Sequence, residues 1–347
     1  MKVRYNMIMR RWIIHISPFL LFVCCALAAD EPAGDALQEL FKQENPPSAT
    51  RQLQAVLSAC DNDPVKLKAL IASDTAYEAF EPGWLRRVVE VHDGEKKYDT
   101  EFHVRVPKGY TPTRSYPVLL VAHGQGGDGK SFAQFIANLL GEDVDKHILL
   151  APTMPGPNVY SGRAYQEQAY LLPLLWTKRN LNVDDDRVVI TGYSQGGHVA
   201  WHIATMFPRQ FAAALPMAGK PWFEGSPFTQ DMYLANLGNL PVWAIWGEKD
   251  TAPPPKIGNV EFCRKTASRL KELGNKHFKG TELKGVGHVG CWPEPEEFAT
   301  FVSTHRRNAV PIELEHRFHL ITHARGYYLE MICLLYTSPS PRDLSTS

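Results

Sequence analysis

Short, mostly apolar runs, each followed by a turn that contains glycine, recur through the middle of the chain. Clear examples are residues 116–122, 187–191 and 240–246. Apolar runs of this length between turn residues are typical of buried strands, and segments with helical periodicity separate them. The alternation predicts an α/β fold, in which a mostly parallel central sheet carries helices on both faces.

Two other patterns precede these strands. Residues 88–91 and 101–106 alternate between apolar and polar side chains, which predicts two antiparallel strands at one edge of the sheet. Further upstream, Asp63 followed by Pro64 is typical of a helix start. We therefore expect a small helical N-terminal segment over residues 29–83, followed by the main domain over residues 84–308.

The N-terminus is typical of an export signal. Basic residues between Lys2 and Arg11 precede the apolar residues 12–27, and Ala26-Leu27-Ala28 offers a cleavage site. This pattern predicts a signal peptide over residues 1–28 and a periplasmic or secreted protein with no stable membrane span after cleavage. A retained membrane anchor is the alternative, although the apolar stretch is short for a spanning helix.

Two unlike segments lie near the C-terminus. Residues 312–332 alternate as two strands would, which predicts the start of a β-rich element over residues 309–332 that the chain does not complete. Residues 333–347 resemble a translated sequencing adaptor, and we expect them to be an artefact that packs against nothing. A genuine tail rich in serine and proline is the alternative.

Composition narrows the choice of partners. The 347 residues are 44% hydrophobic, enough for one large core, and 37 lysines and arginines balance 37 acidic residues. Nucleic acid is not an expected partner, because no long basic run carries interleaved aromatic residues. The 13 histidines form no His-Glu-x-x-His pair and the cysteines form no Cys-x-x-Cys pair, so we expect no metal site and no cofactor.

The clearest signal for chemistry is Gly192-Tyr193-Ser194-Gln195-Gly196, between a β-branched run and a helical segment. It is a G-x-S-x-G motif in a strand–turn–helix context, which exposes a serine hydroxyl on a sharp turn. The flanking glycines allow the close backbone approach that such a turn requires. Ser194 is therefore the candidate nucleophile.

Candidate partners for this serine also follow predicted strands. Residues 123–127, a histidine and a glycine-rich loop, come after the strand at 116–122. Asp250 follows the strand at 240–246, with Glu248 as a competing carboxylate in the same loop, and His288 follows a further predicted strand. Because the carboxyl ends of parallel strands share one edge of a sheet, we expect these groups to meet there.

From about Val88 to His305 the chain resembles the α/β-hydrolase superfamily, in particular its esterase and predicted-peptidase branch. The resemblance rests on the G-x-S-x-G motif, on the chain order Ser, Asp, His, and on residues 182–187 and 211–219.

This resemblance implies a role for each candidate. Ser194 is expected to be the nucleophile, His288 the general base and Asp250 the acid that orients the imidazole. The backbone N–H groups of Gln125 and Gln195 are expected to form an oxyanion hole. A neighbouring residue of the loop at 123–127 is the alternative for the first donor.

Aromatic and cysteine residues add two further expectations. The aromatic candidates for pocket walls follow strands on the catalytic edge, with plain packing as the alternative: Tyr160, Trp222, Phe223 and Trp292. In an oxidising compartment a disulfide between Cys263 and Cys291 would brace the His288 loop. Three unpaired buried thiols, Cys60 included, are the other possibility.

Three functions are consistent with these residues. The first is an exported serine hydrolase that cleaves small-molecule or carbohydrate-linked carboxylic esters through an acyl-enzyme. The second is a serine peptidase of the same fold. The third is a binding protein that keeps the fold without catalysis, although an intact set of Ser194, Asp250 and His288 argues against it.

Overall fold

The computed structural model describes the chain with several gaps. The described residues are 36–37, 39, 46–63, 65–67, 70, 77–156, 160–221, 233–253, 256, 258–318, 320–327 and 329–330, with the backbone alone at 46–51, 321 and 329–330. The expected signal peptide at residues 1–28 and the expected adaptor segment at 333–347 lie outside these ranges. The described residues fall into two compact units, one within Met9–Glu78 and a larger one from Ala79 onward.

The smaller unit is helical, as the sequence predicts. Helix α1 (Pro46–Ala59) contributes Val56 to an apolar cluster with Leu37, Cys60 and Leu70. The carboxylate of Asp63 accepts a hydrogen bond from Val65 N at 2.8 Å, and residues 65–67 are helical. Asp63 therefore satisfies one of the amide groups that a helix start leaves without a partner.

The larger unit is built on one open sheet. Its strands in chain order are β1 (Gly83–Asp93), β2 (Lys96–Val106), β3 (Tyr116–Ala122), β4 (Ile148–Pro152), β5 (Val183–Tyr193), β6 (Ala213–Met217), β7 (Val242–Gly247) and β8 (Phe278–Leu283). Their order across the sheet is β1-β2-β4-β3-β5-β6-β7-β8. The pairs β1–β2 and β2–β4 are antiparallel and the others are parallel. The prediction of a mostly parallel sheet with an antiparallel edge is confirmed.

Among the described residues, five helices cover the two faces of this sheet. They are α2 (Gly129–Leu140), α3 (Ala164–Asn180), α4 (Gln195–Met206), α5 (Asn259–Glu272) and α6 (Pro295–Thr304). Residues of α3, α4 and α5 share one apolar core, and residues of α2 and α6 share the other. The two cores lie on opposite faces of the sheet because successive side chains of a strand point to opposite faces. In strand β3, Leu120 belongs to the first core, and its neighbours Leu119 and Val121 belong to the second. Among the described residues, no helix combines the length and apolar character needed to cross a membrane.

The C-terminal segment differs from its predicted form. Alternation across 309–332 predicts two full strands, whereas the described part contains only β9 (Arg325–Gly326) and β10 (Leu329–Glu330) after a short 3₁₀ turn, Ile321–His323. The backbone of Arg317 bonds to the side chain of Asn236 instead of to a strand, with N to Oδ1 at 2.6 Å and O to Nδ2 at 2.9 Å. Tertiary hydrogen bonds of this kind override the alternating pattern.

Candidate active site

Ser194 lies on a sharp turn between the central strand β5 and helix α4. Its φ of 57° and ψ of −118° are unusual for a residue with a side chain. A methyl group built on Gly192 would lie 2.2 Å from Gly196 O, and one on Gly196 would lie 1.9 Å from Ala122 O. Only glycine fits at these two positions, so the motif permits the close strand–helix approach that exposes the serine.

Three side chains form a continuous hydrogen-bonded line from this turn. Ser194 Oγ lies 2.7 Å from His288 Nε2, and His288 Nδ1 lies 2.8 Å from Asp250 Oδ2. A carboxylate can only accept, so Nδ1 carries the proton and Nε2 is free to accept from the serine hydroxyl. The structure thus brings together three residues separated by up to 94 positions in the chain.

Asp250 is held firmly at its end of the line. It is 7% exposed, and the amide of Asn259 donates to its Oδ2 at 3.0 Å. Burial raises the pKa of the Asp250 carboxyl, but hydrogen bonds from His288 and Asn259 outweigh it and leave the pKa below its ordinary value. The competing carboxylate, Glu248, instead accepts a hydrogen bond from Gly285 N at 2.7 Å.

Asp250 also changes the pKa of His288. The hydrogen bond from His288 to Asp250 raises the pKa of the imidazole above its ordinary value, against the opposing effect of burial. A raised pKa makes His288 a stronger base once the imidazole is neutral.

Two other histidines near Ser194 have different positions. Burial lowers the pKa of His198 to about 4, and its Nδ1 lies 2.9 Å from the backbone nitrogen of Lys220. His123 donates from Nδ1 to Gly124 O at 2.7 Å and accepts at Nε2 from Met154 N at 3.0 Å. Burial lowers the pKa of His123 as well. His123 is therefore a neutral brace for the loop after β3.

The two expected oxyanion donors belong to segments next to the serine. Gln195 is the first residue of α4, where N–H groups have no acceptor within the helix. Gln125 lies in an exposed turn after β3. A methyl group on the preceding Gly124 would lie 3.6 Å from Ser194 Cβ, so this loop passes directly beside the serine.

Tyr193 is a residue of the site that the sequence analysis does not single out. Its hydroxyl donates to the backbone oxygen of His288 at 2.5 Å, and its ring centroid lies 6.0 Å from that of Trp292. Its place inside the G-x-S-x-G motif could have indicated that Tyr193 lies in the site. No pattern in the sequence indicates its contact with His288, which is 95 positions away. Tyr193 joins the serine turn to the histidine loop.

Of the four expected pocket residues, Trp222 and Phe223 lie outside the described residues. Tyr160 is buried in the core shared by α3 and α4, with its ring centroid 5.7 Å from that of His202. The structure therefore places Tyr160 in packing and not on an open wall. Trp292 is half-buried beside Tyr193 at the catalytic edge, where it stays a candidate wall.

The expected disulfide is not formed. Cys263 and Cys291 are separate buried thiols that donate to Gly219 O at 3.3 Å and to Gly287 O at 3.0 Å. Burial raises the pKa of both, to about 11 for Cys291. Unpaired buried thiols, the alternative expectation, match this arrangement.

Comparison with known proteins agrees with this architecture. Residues 155–281, a little over a third of the chain, match the family described as "Putative esterase". No curated protein matched the chain.

Solved structures match the chain at low sequence identity. A thermostable esterase is 24% identical, with a TM-score of 0.49 over 64% of this chain and 63% of that one, so the match spans less than two thirds of its length. A ferulic acid esterase is 16% identical, with a TM-score of 0.51 over 64% of this chain and 98% of that one. A "putative dipeptidyl aminopeptidase IV" from Bacteroides ovatus is 12% identical, with a TM-score of 0.50 over 65% and 36%. Together with the open, mostly parallel sheet, the matches at TM-scores of 0.50 and 0.51 show that the chain has the α/β-hydrolase fold.

Proposed function

We propose that the chain is an exported serine hydrolase that cleaves carboxylic esters, with Ser194, His288 and Asp250 as its catalytic triad. The observation that carries this proposal is the unbroken line of hydrogen bonds from Ser194 Oγ through His288 to Asp250. A buried carboxylate, an oriented imidazole and a half-buried serine on a strained turn are the parts that acyl transfer needs.

The reaction divides into two halves. Ser194 Oγ attacks the ester carbonyl while His288 Nε2 takes the hydroxyl proton, and the tetrahedral intermediate then expels the alcohol, which receives that proton from His288. Water activated by His288 next attacks the acyl group on Ser194, and the acid leaves as the serine regains its proton. The carboxylate of Asp250 stabilises the imidazolium that forms in each half.

The oxyanion that develops in each half needs donors. The N–H groups of Gln195 and Gln125 are the proposed pair, because one begins α4 directly after Ser194 and the other follows Gly124 beside the serine. Loss of one such donor typically costs about 10²–10³ in kcat. His123 supports the N–H group of Gln125, since the hydrogen bond from His123 to Gly124 O fixes the loop.

Short or carbohydrate-linked acyl groups are the proposed substrates. Support comes from the family match and from the structural likeness to a ferulic acid esterase. In addition, no long apolar segment outside the strands and the N-terminal signal offers the large surface with which a lipase binds an interface.

A chain-length series tests this substrate class. We expect kcat/KM on p-nitrophenyl esters to be highest with acetyl and butyryl groups and to fall steadily for longer chains. An optimum at long chains, together with activation by an oil–water interface, would contradict the substrate class and leave the triad unaffected.

A peptidase of the same fold is the second candidate, and the structural likeness to an aminopeptidase is the observation that favours it. Turnover of aminoacyl or dipeptidyl p-nitroanilides, compared with that of p-nitrophenyl acetate, separates the two. Under the ester proposal the anilides are poor substrates.

Tyr193 has a testable positioning role. Tyr193→Phe removes the hydroxyl that holds the His288 backbone and keeps the ring against Trp292. We expect kcat to fall about fivefold, the effect of about 1 kcal/mol, with KM nearly unchanged.

Tyr116→Phe is the matched control for this variant. The Tyr116 hydroxyl also donates to a backbone oxygen, that of Gly109 at 3.0 Å, but at the opposite end of β3 from the serine. Tyr116→Phe should therefore lower the melting temperature and leave kcat unchanged. Equal kcat values for the two variants would contradict a positioning role for Tyr193.

A further inference from the structure

One carboxylate and two imidazoles meet inside the core shared by α3 and α4, apart from the triad. Glu167 belongs to α3, His202 to α4 and His323 to the C-terminal 3₁₀ turn, and they are 4%, 4% and 1% exposed. His202 Nε2 lies 2.6 Å from Glu167 Oε1, while His323 Nε2 lies 2.9 and 3.0 Å from the two carboxylate oxygens. Both imidazole rings therefore direct their Nε2 atoms towards the carboxylate of Glu167.

The surroundings of this cluster are largely aromatic. The ring of Tyr160 meets His202 edge-on with 5.7 Å between centroids, and Phe207 meets His323 in the same way at 5.2 Å. A charge in such a place must be balanced within the cluster itself, because solvent does not reach it. A divalent cation at the point where the three side chains meet would supply that balance.

The donor set indicates which cation fits. Two imidazole nitrogens with one carboxylate are a common protein ligand set for Zn²⁺ and other first-row transition metals, whereas Ca²⁺ and Mg²⁺ prefer oxygen ligands alone. Ligand atoms on one tetrahedral zinc ion are about 3.3 Å apart, since each bond is about 2.0–2.1 Å long. The three side chains already hold their donor atoms within 4.8 Å of one another, so shifts of under about 1 Å would admit the ion.

We propose that Glu167, His202 and His323 form a binding site for a zinc-class divalent metal ion that joins the C-terminal segment to α3 and α4. The role is structural, because His202 lies two helical turns beyond Ser194, about 12 Å along α4. The turn that carries His323 is itself held in place, since His316 Nε2 donates to His323 O at 2.7 Å. No sequence motif indicates the site, because its residues are 35 and 156 positions apart.

Cobalt substitution and crystallography test the proposal on the full chain. Protein stripped with a chelator and titrated with Co²⁺ should bind one equivalent and develop the visible absorption bands of protein-bound cobalt, which Zn²⁺ should then abolish. Zn²⁺ in hundredfold excess over its Kd should also raise the melting temperature by about 5–10 °C. Anomalous scattering at the zinc edge, from wild-type crystals grown with Zn²⁺, should place the ion between Glu167, His202 and His323. This readout needs no variant.

Variants assign the binding to these side chains. His323→Ala should abolish the cobalt bands and the thermal shift, whereas His92→Ala should retain both. His92 is a suitable control because it is an exposed histidine whose Nε2 lies 3.0 Å from a carboxylate, that of Glu90. Three results would each overturn the proposal. They are the absence of stoichiometric binding in the wild type, an anomalous peak at His288 or at the surface, and unchanged cobalt bands in His323→Ala.

Discussion

Replacing Ser194 by alanine is expected to lower kcat on p-nitrophenyl acetate by about 10⁶, because the members of a catalytic triad act as a unit. The fold should be unaffected. The side chain of Ser194 contacts His288 at the surface of the sheet edge, and alanine meets the same backbone strain as serine at a φ of 57°. Steady-state kinetics with thermal unfolding of both proteins measures the two effects.

Ser161→Ala is the matched control for the nucleophile. Ser161 is a partly buried serine whose hydroxyl bonds to Gln166 Oε1 at 3.2 Å, so its loss tests the general cost of removing a serine hydroxyl from this unit. Its kcat should stay near that of the wild type. Similar activities for the two variants would remove Ser194 from the reaction.

Asp250→Asn is expected to lower kcat by about 10⁴, because an amide permits the wrong tautomer of the His288 imidazole. The acid limb of the kcat/KM profile should also move to lower pH. The hydrogen bond to Asp250 raises the pKa of His288, and the base acts only when neutral, so loss of the carboxylate extends activity towards acid. A pH series from acid to neutral, run on both proteins, measures the shift.

Glu248→Gln separates the two carboxylates of this loop. Glu248 accepts a hydrogen bond from Gly285 N and makes none with the imidazole of His288. Glu248→Gln should therefore change kcat only slightly and leave the acid limb of the kcat/KM profile where it is in the wild type. A larger loss with Glu248→Gln than with Asp250→Asn would assign the orienting role to Glu248 instead.

The sheet and the residues at its catalytic edge could be predicted because their signals are local. An apolar run closed by turn residues indicates a buried strand, and Ser194 and Asp250 each follow such a run. His288 follows the last predicted strand, which is more polar. Parallel strands then bring their carboxyl ends to one edge by geometry alone. For this reason a pattern of a few residues could indicate that side chains 38 and 94 positions apart would meet.

The features that the sequence did not reveal depend on tertiary contacts. The hydroxyl of Tyr193 reaches the His288 backbone, and Tyr160 packs against His202 instead of lining a pocket. Residues 309–332 alternate like strands, yet Asn236 takes the backbone hydrogen bonds of Arg317. In each case a partner distant in the chain decides the outcome, and periodicity carries no information about it.

Active-site labelling tests the central claim most directly. A fluorophosphonate forms a covalent bond with a serine only where a base activates the hydroxyl. Mass spectrometry of the digested wild-type protein should find one adduct, on the peptide that contains Ser194, and the Ser194→Ala variant should show none. An adduct on another residue, or labelling that persists in Ser194→Ala, would contradict the assignment of Ser194 as the nucleophile.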